Sequence, residues 1–225
     1  MAQEPKEDKF VKLEETLSRT ELYIEDNQKK LTIIIVAIAL LVAGYMSYNK
    51  FVAEPAEYRA QQEIFAAQQY FAKDSFNLAL NGDGNYSGFL YIIDNYGRTK
   101  AGNLANYYAG ICYLRTGDFN NAITYLKEFG SDDVIIAPIA LGGIGDAYME
   151  LGNTEEAISY YLKAAKESEN MLTAPHYLMK AGIAYEIAGN YSKALETYTA
   201  LKKDYSESQQ GRLIEKYIAR ATQKL

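Results

Sequence analysis

Gly110-Ile-Cys-Tyr113-Leu-Arg-Thr-Gly117-Asp-Phe119-Asn-Asn-Ala122 returns twice along the chain. It comes back as Gly145-Asp-Ala-Tyr148-Met-Glu-Leu-Gly152-Asn-Thr-Glu-Glu-Ala157, then as Gly182-Ile-Ala-Tyr185-Glu-Ile-Ala-Gly189-Asn-Tyr191-Ser-Lys-Ala194. In each copy a tyrosine stands three residues after the leading glycine, a second glycine seven after and an alanine twelve after, and the copies step by 35 and then 37 residues. A unit of that length holds two helices and a turn. The leading glycine leaves room for close helix packing. The second glycine ends the first helix where positive φ is wanted. The alanine sits where the second helix crosses the first. Tyr113, Tyr148 and Tyr185 are expected to fill the space between the paired helices. With Tyr125, Tyr160, Tyr161, Tyr191 and Tyr198 they account for much of a tyrosine count of 21 in a chain without Trp.

The pattern covers roughly residues 103–204 and resembles the tetratricopeptide repeat (TPR), a helix–turn–helix unit. Two features depart from that family. Asn106 stands where an early Trp is common, and the Pro near the repeat end is missing; Pro138 and Pro175 instead start the next helix, a tolerated place for Pro. The resemblance implies a superhelix whose binding face is lined by the first helix of each pair. In the first unit this implies Tyr107, Ile111, Leu114 and Arg115. In the second it implies Gly142, Asp146, Met149 and Glu150, and in the third Met179, Ile183, Glu186 and Ile187. Such a surface mixes apolar area with three acids and one Arg, and suits an extended or helical client with apolar side chains and some positive charge. Family members that clamp a C-terminal carboxylate use Lys and Asn, where this chain has Tyr107, Ile111, Gly142 and Asp146, so that mode is disfavoured.

Both flanks of the repeats read as helical, giving an all-α solenoid. Residues 57–99 are expected to hold a degenerate unit. Its first helix runs from Tyr58 to Lys73 through Ile64, Phe65, Tyr70 and Phe71, a loop follows at Asn81–Asn85, and a second helix spans Tyr86–Tyr96. At the far end, residues 208–223 place Leu213, Ile214, Tyr217, Ile218 and Ala221 on one face and Arg212, Glu215, Lys216 and Arg220 on the other. That is the two-sidedness of a capping helix. The resulting organisation is a tail at 1–30, a span at 31–50, a degenerate repeat at 54–100, three units at 101–204 and a cap at 205–225.

Leu31 to Tyr48 reads LTIIIVAIALLVAGYMSY, eighteen uncharged residues between Lys29-Lys30 and Lys50. At ~1.5 Å per residue this helix measures ~27 Å, near the ~30 Å apolar thickness of a bilayer. Tyr45 and Tyr48 sit where amphipathic rings suit the interface. A core helix would show a polar stripe, and here only Thr32 and Ser47 are polar. A signal peptide starts close to the N-terminus, whereas thirty residues rich in charge precede this segment. A single uncleaved transmembrane helix is the expectation. Lys12, Arg19, Lys29 and Lys30 precede it within twenty residues, and only Lys50 and Arg59 follow, a bias that places the N-terminus in the cytoplasm. Of the tail, residues 1–9 read as unstructured and Phe10, Leu13, Leu17 and Ile24 as one face of a short helix.

Composition narrows the chemistry. With 29 acidic and 23 basic residues the net charge is −6, the opposite of a phosphate-tracking nucleic-acid binder. Cys112 is the one cysteine and His176 the one histidine, so no disulfide framework, Cys-based zinc site or His cluster can form. Asn81-x-Asp83-x-Asn85 begins like a calcium loop, but Tyr86 and Ile92 stand where Gly and Glu belong. Gly142-Gly-Ile-Gly145 follows no strand and lies in a predicted helix, so it is no phosphate cradle. Asn85 and Asn190 open Asn-Tyr-Ser sequons that mean nothing without a glycosylating compartment. Cys112 reads as a buried inert thiol and His176 as a solvated or groove-lining side chain. No catalytic constellation and no cofactor site emerges, and the expectation is a protein that binds rather than catalyses.

The layout of the whole chain, a short charged tail, one span and then TPRs, resembles the ancillary translocon subunit family (YfgM-like). Tyr23-Ile-Glu25-Asp26-Asn27-Gln-Lys29 directly before the span is similar to that family's aromatic–acid–Asn–Lys approach. The resemblance implies contact of Tyr23, Asn27 and Lys29 with a membrane partner at the protein-conducting channel. It further implies a bacterial inner-membrane location, a periplasmic TPR domain, and an adaptor that assists exported clients or links the channel to periplasmic chaperones. A scaffold for another envelope complex is the alternative. A regulator of an enzyme, with its TPR domain in the cytoplasm, is a third reading.

Overall fold

A computed structural model describes the backbone of residues 6–225 and the side chains of residue 21 and residues 23–225. The chain divides into two units, Met1–Pro55 and Ala56–Leu225. In the first, one helix, α1, runs Lys6–Tyr48, and a π turn follows at Asn49–Ala53. Residues 6–9, expected to be unstructured, belong to this helix, and the backbone makes no break at Leu31 between tail and span. Residues 1–5 lie outside the described residues, as do the side chains of Phe10, Leu13 and Leu17. Within the apolar run the Thr32 hydroxyl donates to the Gln28 carbonyl at 2.8 Å, so its polar group is satisfied inside the helix.

The second unit is built from α2 (Glu54–Ala72), α3 (Phe76–Asn81), α4 (Phe89–Tyr96), α5 (Lys100–Thr116), α6 (Phe119–Glu128) and α7 (Ile136–Glu150). It continues with α8 (Thr154–Glu167), α9 (Thr173–Ile187), α10 (Tyr191–Asp204), α11 (Gln209–Leu213) and α12 (Glu215–Gln223). The pairs α5/α6, α7/α8 and α9/α10 are the three repeats. Gly117, Gly152 and Gly189 end or follow the first helix of each with φ of +85°, +76° and +75°, a conformation that any side chain would strain. Ala122, Ala157 and Ala194 are wholly buried.

The leading glycines set the helix separation. A Cβ on Gly110 would lie 2.5 Å from the Leu126 side chain, on Gly145 2.6 Å from the Tyr161 ring, and on Gly182 2.1 Å from the Tyr198 ring. The residue sixteen places on therefore fills the space between paired helices, which corrects the expectation for Tyr113, Tyr148 and Tyr185. Those three are half-buried at its margin. Tyr113 stacks on Tyr125 and Tyr148 on Tyr160, with ring centroids 5.3 and 5.5 Å apart.

Residues 57–99 are helical, and the turn between the first helix pair is not at Asn81–Asn85. Ala67, Tyr70, Asp74 and Ala79 repeat the spacing of the other units, with Ala67 and Ala79 wholly buried and Asp74 at φ +54° in the place of the turn glycine. Asp tolerates this region better than most residues. The second helix, α3, stops at Asn81 because Gly82 turns the chain at φ +81° and Asp83 accepts from the backbone N–H groups of Asn85 and Tyr86. The chain then re-enters as α4, which starts at Phe89 rather than Tyr86. Phe89 and Ile92 are wholly buried against α2, α3 and α5.

Side chains close the loops before the first helices. Thr99 and Ser208 each accept from the N–H three residues ahead, at 2.9 Å. Asp133 and Asn170 each accept two backbone N–H bonds at 2.8 Å. At the C-terminus the expected single helix bends at Ile214 into α11 and α12. Ile214 and Ala221 are buried, whereas Leu213 is 52% exposed, the reverse of its expected place. Gly211 lies close against the Tyr205 carbonyl, where a Cβ would sit 2.1 Å from it, so the chain turns tightly between α10 and α11.

Gly182→Ala should force a methyl into the Tyr198 ring and cost about 1–3 kcal/mol, as overpacking does. Gly130→Ala, with no atom within 4 Å of the new Cβ, should leave the thermal midpoint unchanged. Melting curves by circular dichroism compare the two.

Candidate protein-binding face

The residues expected on the binding face come from α5, α7 and α9, and the structure sorts them into three groups. Tyr107, Ile111 and Leu114 are half-buried because they support the next repeat: they pack against the core of α6 and α7. The Ile111 and Leu114 methyls lie 3.7 and 3.8 Å from where Gly143 would carry a Cβ. Met149 and Met179 are half-buried in the same way and Ile183 is partly exposed. Ile187 stands 62% exposed. Gly142 is not on the face at all, since the Tyr177 ring covers it and a Cβ there would meet that ring at 2.0 Å.

The charges differ from expectation. Asp146 accepts the Tyr161 hydroxyl at 2.6 Å and both its oxygens take the Lys180 ammonium, at 2.7 and 2.8 Å. Glu186, its side chain only 12% exposed, is paired with Arg220 of α12. Two of the three acids are therefore neutralised from within the chain, and Arg220, though exposed on α12, reaches back to α9. Glu150 and Arg115 are exposed and form no ion pair among the described residues. The demand for positive charge on a client falls away; what the face offers is apolar side chains with one free acid and one free base.

Lys180 and Arg220 escaped the sequence reading, although a signal was present. Each lies 34 residues beyond its acid, about one repeat length, so Lys180 comes from the first helix of the next repeat and Arg220 from the corresponding place in the cap. Tyr161 was read as packing only, yet its hydroxyl orients Asp146. Burial, then the Asp146 carboxylate, raises the Tyr161 phenol far above its ordinary value. Burial likewise raises Tyr177 and Tyr198. The Tyr198 hydroxyl lies beside the Glu186–Arg220 pair but is buried without a hydrogen-bond partner among the described residues.

His176 is exposed and edge-on to Tyr177 at 4.9 Å, and partial desolvation followed by the nearby Lys180 lowers its pKa. It helps line a notch of about 470 Å³ whose walls include Ile139, Met171, Leu172 and Gln209. Cys112 is wholly buried and burial pushes its thiol up to about 12, so it carries no nucleophile. Asp83 spends its carboxylate on its own turn and on the Tyr70 hydroxyl at 2.7 Å, while Asn81 donates to the Asn77 carbonyl. Asn190 caps α10 through the Lys193 N–H. In the first unit Tyr23 is 64% exposed, and Asn27 turns onto its own helix, donating to the Tyr23 carbonyl at 3.0 Å.

Tyr161→Phe should cost about 1 kcal/mol, because Asp146 loses a donor. Tyr198→Phe should be neutral or stabilising, since it removes a hydroxyl with no partner; urea unfolding of the two variants separates them. Alkaline pH offers a further check. A phenol whose folded pKa lies above its unfolded value of ~10 contributes stability that is complete below pH ~10 and is lost as pH climbs toward the folded value. The exposed tyrosines should ionise at constant helix content, and a later fraction of tyrosinate absorbance, from the buried phenols, should appear above pH ~10 together with loss of helix.

Comparison with known proteins fits this geometry. Two family models, each described as tetratricopeptide repeat, match residues 104–133 and 143–208. No curated protein matches the chain significantly. Among solved structures, the nearly identical TPR-like repeats of a Podosopora anserina protein described as a kinesin light chain align over 74% of this chain and 86% of their own, with a TM-score of 0.56 and 14% identity. A single-substitution variant of the same protein gives the same values. PcrH, in complex with the chaperone binding region of PopB, aligns over 56% of this chain and 97% of its own at a TM-score of 0.42 and 18% identity. At such identities a likeness speaks for the fold alone. Residues 104–133 and 143–208 are tetratricopeptide repeats, and they belong to a TPR-like helical solenoid.

Proposed function

We propose that the chain is a single-span membrane protein whose TPR solenoid binds polypeptide clients, without catalysing a reaction of its own. The observation that carries the anchor is the state of α1: Ile33, Ile34, Ile35, Val36, Ile38, Leu40, Leu41 and Val42 are all at least 51% exposed. That apolar length has no protein partner among the described residues, and a bilayer is the solvent that suits it. The basic bias ahead of the span supports a cytoplasmic N-terminus, and the layout shared with the ancillary translocon subunits is what suggests a bacterial inner membrane with a periplasmic solenoid.

On this reading Tyr107, Ile111, Leu114, Met149, Met179 and Ile183 receive apolar side chains of the client, while Arg115 and Glu150 engage its backbone or polar groups. Asp146 and Glu186 hold the face together and are not free for a client. The exposed Tyr23 and Lys29 are proposed to touch a membrane partner, with Asn27 stiffening the helix between them. The client is proposed to be an exported polypeptide emerging beside the protein-conducting channel, or a periplasmic chaperone recruited to it, in keeping with the layout the chain shares with the ancillary translocon subunits.

Two measurements test the proposal. Carbonate should leave the chain in the membrane, and protease added to spheroplasts should digest residues 54–225 while sparing residues 1–30; complete protection of the solenoid overturns the topology. A photo-reactive side chain at Ile183 should cross-link to an exported protein stalled in the channel, and one at the buried Ala164 should not. Equal labelling at both positions, or none at Ile183, would count against the face.

A further inference from the structure

The repeat frame extends to α2, and there one surface lacks its partner. Three columns of the first helix close each repeat on the repeat before it. Five residues ahead of the leading small residue stand Ala105, Ala140 and Tyr177; two residues after it stand Cys112, Ala147 and Ala184. All six are buried, each in the cluster it shares with the preceding hairpin. Two residues ahead of it the same docking holds. Tyr108 stacks on Phe89 at 5.1 Å, Gly143 lies under Leu126, and Lys180 bonds Asp146.

In α2 these columns are Gln62, Phe65 and Gln69, and all three are exposed, Phe65 at 63%. Tyr58, on the same line, is 65% exposed. Tyr58, Gln62, Phe65, Gln69 and Ala72 follow one another at alternating four- and three-residue steps, the spacing of a helix seam that meets another helix. No charged residue stands on that line. A solenoid end that faces water carries a polar outer face, and α12 meets this requirement at the other end with Glu215, Lys216 and Arg220. The α2 end instead presents two aromatic rings flanked by carboxamides.

We infer that this face is covered by the same face of a second copy of the chain, α2 against α2 in parallel. The surface is formed by the same columns that α5, α7 and α9 cover with a helix of the preceding hairpin, so a helix laid on it covers what those columns cover in every other repeat. Identical partners fit its chemistry. A charged line would repel its own copy, whereas a glutamine amide holds both a donor and an acceptor and can pair with its twin across a two-fold axis. Tyr58 and Phe65 then meet their own counterparts, and a polar residue in the seam fixes the register. Only the parallel direction rests on the proposed anchoring, which sends both copies out of the bilayer the same way. Carbonate extraction reads the anchor separately from the pairing.

The test uses the full chain carrying Cys112→Ala, the residue that two other units have at that place. Under mild oxidation in membranes, Gln62→Cys and Gln69→Cys should each give a disulfide-linked dimer, and Arg59→Cys, off the line, should not. In detergent, light scattering should show two chains, and Tyr58→Glu with Phe65→Glu should reduce this to one while the helix melting curve stays in place. A one-chain mass for the parent protein overturns the inference. So does a cross-link at Arg59→Cys as strong as that at Gln69→Cys, a cross-link at Gln62→Cys without one at Gln69→Cys, or an adduct with a different protein.

Discussion

The solenoid depends on one contact, a glycine backbone lying against a side chain sixteen residues further on. At Gly145 and Gly182 that side chain is an aromatic ring, Tyr161 or Tyr198, and at Gly110 it is Leu126. Close-packed interiors leave no slack for a methyl at such a distance. The distance between paired helices is thus set by the thickness of a ring, and neighbouring features follow from it. The alanines at the crossing must be small, the turn glycine must bring the second helix back at once, and the tyrosines at the margin are left to stack in pairs.

Much of this was legible because it is periodic. Four residue types at fixed offsets in three units cannot be moved independently, and the positive φ of Gly117, Gly152 and Gly189 is the direct outcome. The degenerate unit was legible as a helix pair but not in its frame. Its frame is carried by Ala67 for Gly and Asp74 for Gly, substitutions that keep size or backbone tolerance but change the letter. The Asn81–Asn85 cluster then attracted the turn assignment, although it ends α3 rather than joining the helix pair. The bend at Ile214 was hidden because Leu213 and Ile214 are equally apolar, and hydropathy does not say which of two adjacent apolar residues is buried.

The binding face was legible by column and not by charge. Helical spacing places Asp146 and Glu186 correctly on the first helices, but which base reaches each depends on the next repeat, a contact made in space one unit later. Lys180 over the Tyr161 ring at 5.5 Å, as well as on Asp146, shows how one long side chain serves two neighbours at once. The face that results is less acidic than its letters suggest, and what it presents is shape and apolar area.

Those same two pairs have a bearing on how the molecule loses its structure. In a linear array each unit is held by its own stability and by its coupling to the next. Asp146–Lys180 ties α7 to α9, and Glu186–Arg220 ties α9 to α12, so consecutive couplings share α9. Such links lengthen the stretch that must melt together. Fraying from the C-terminal end must then break Glu186–Arg220 first, while Asp146–Lys180 still ties α9 back to α7.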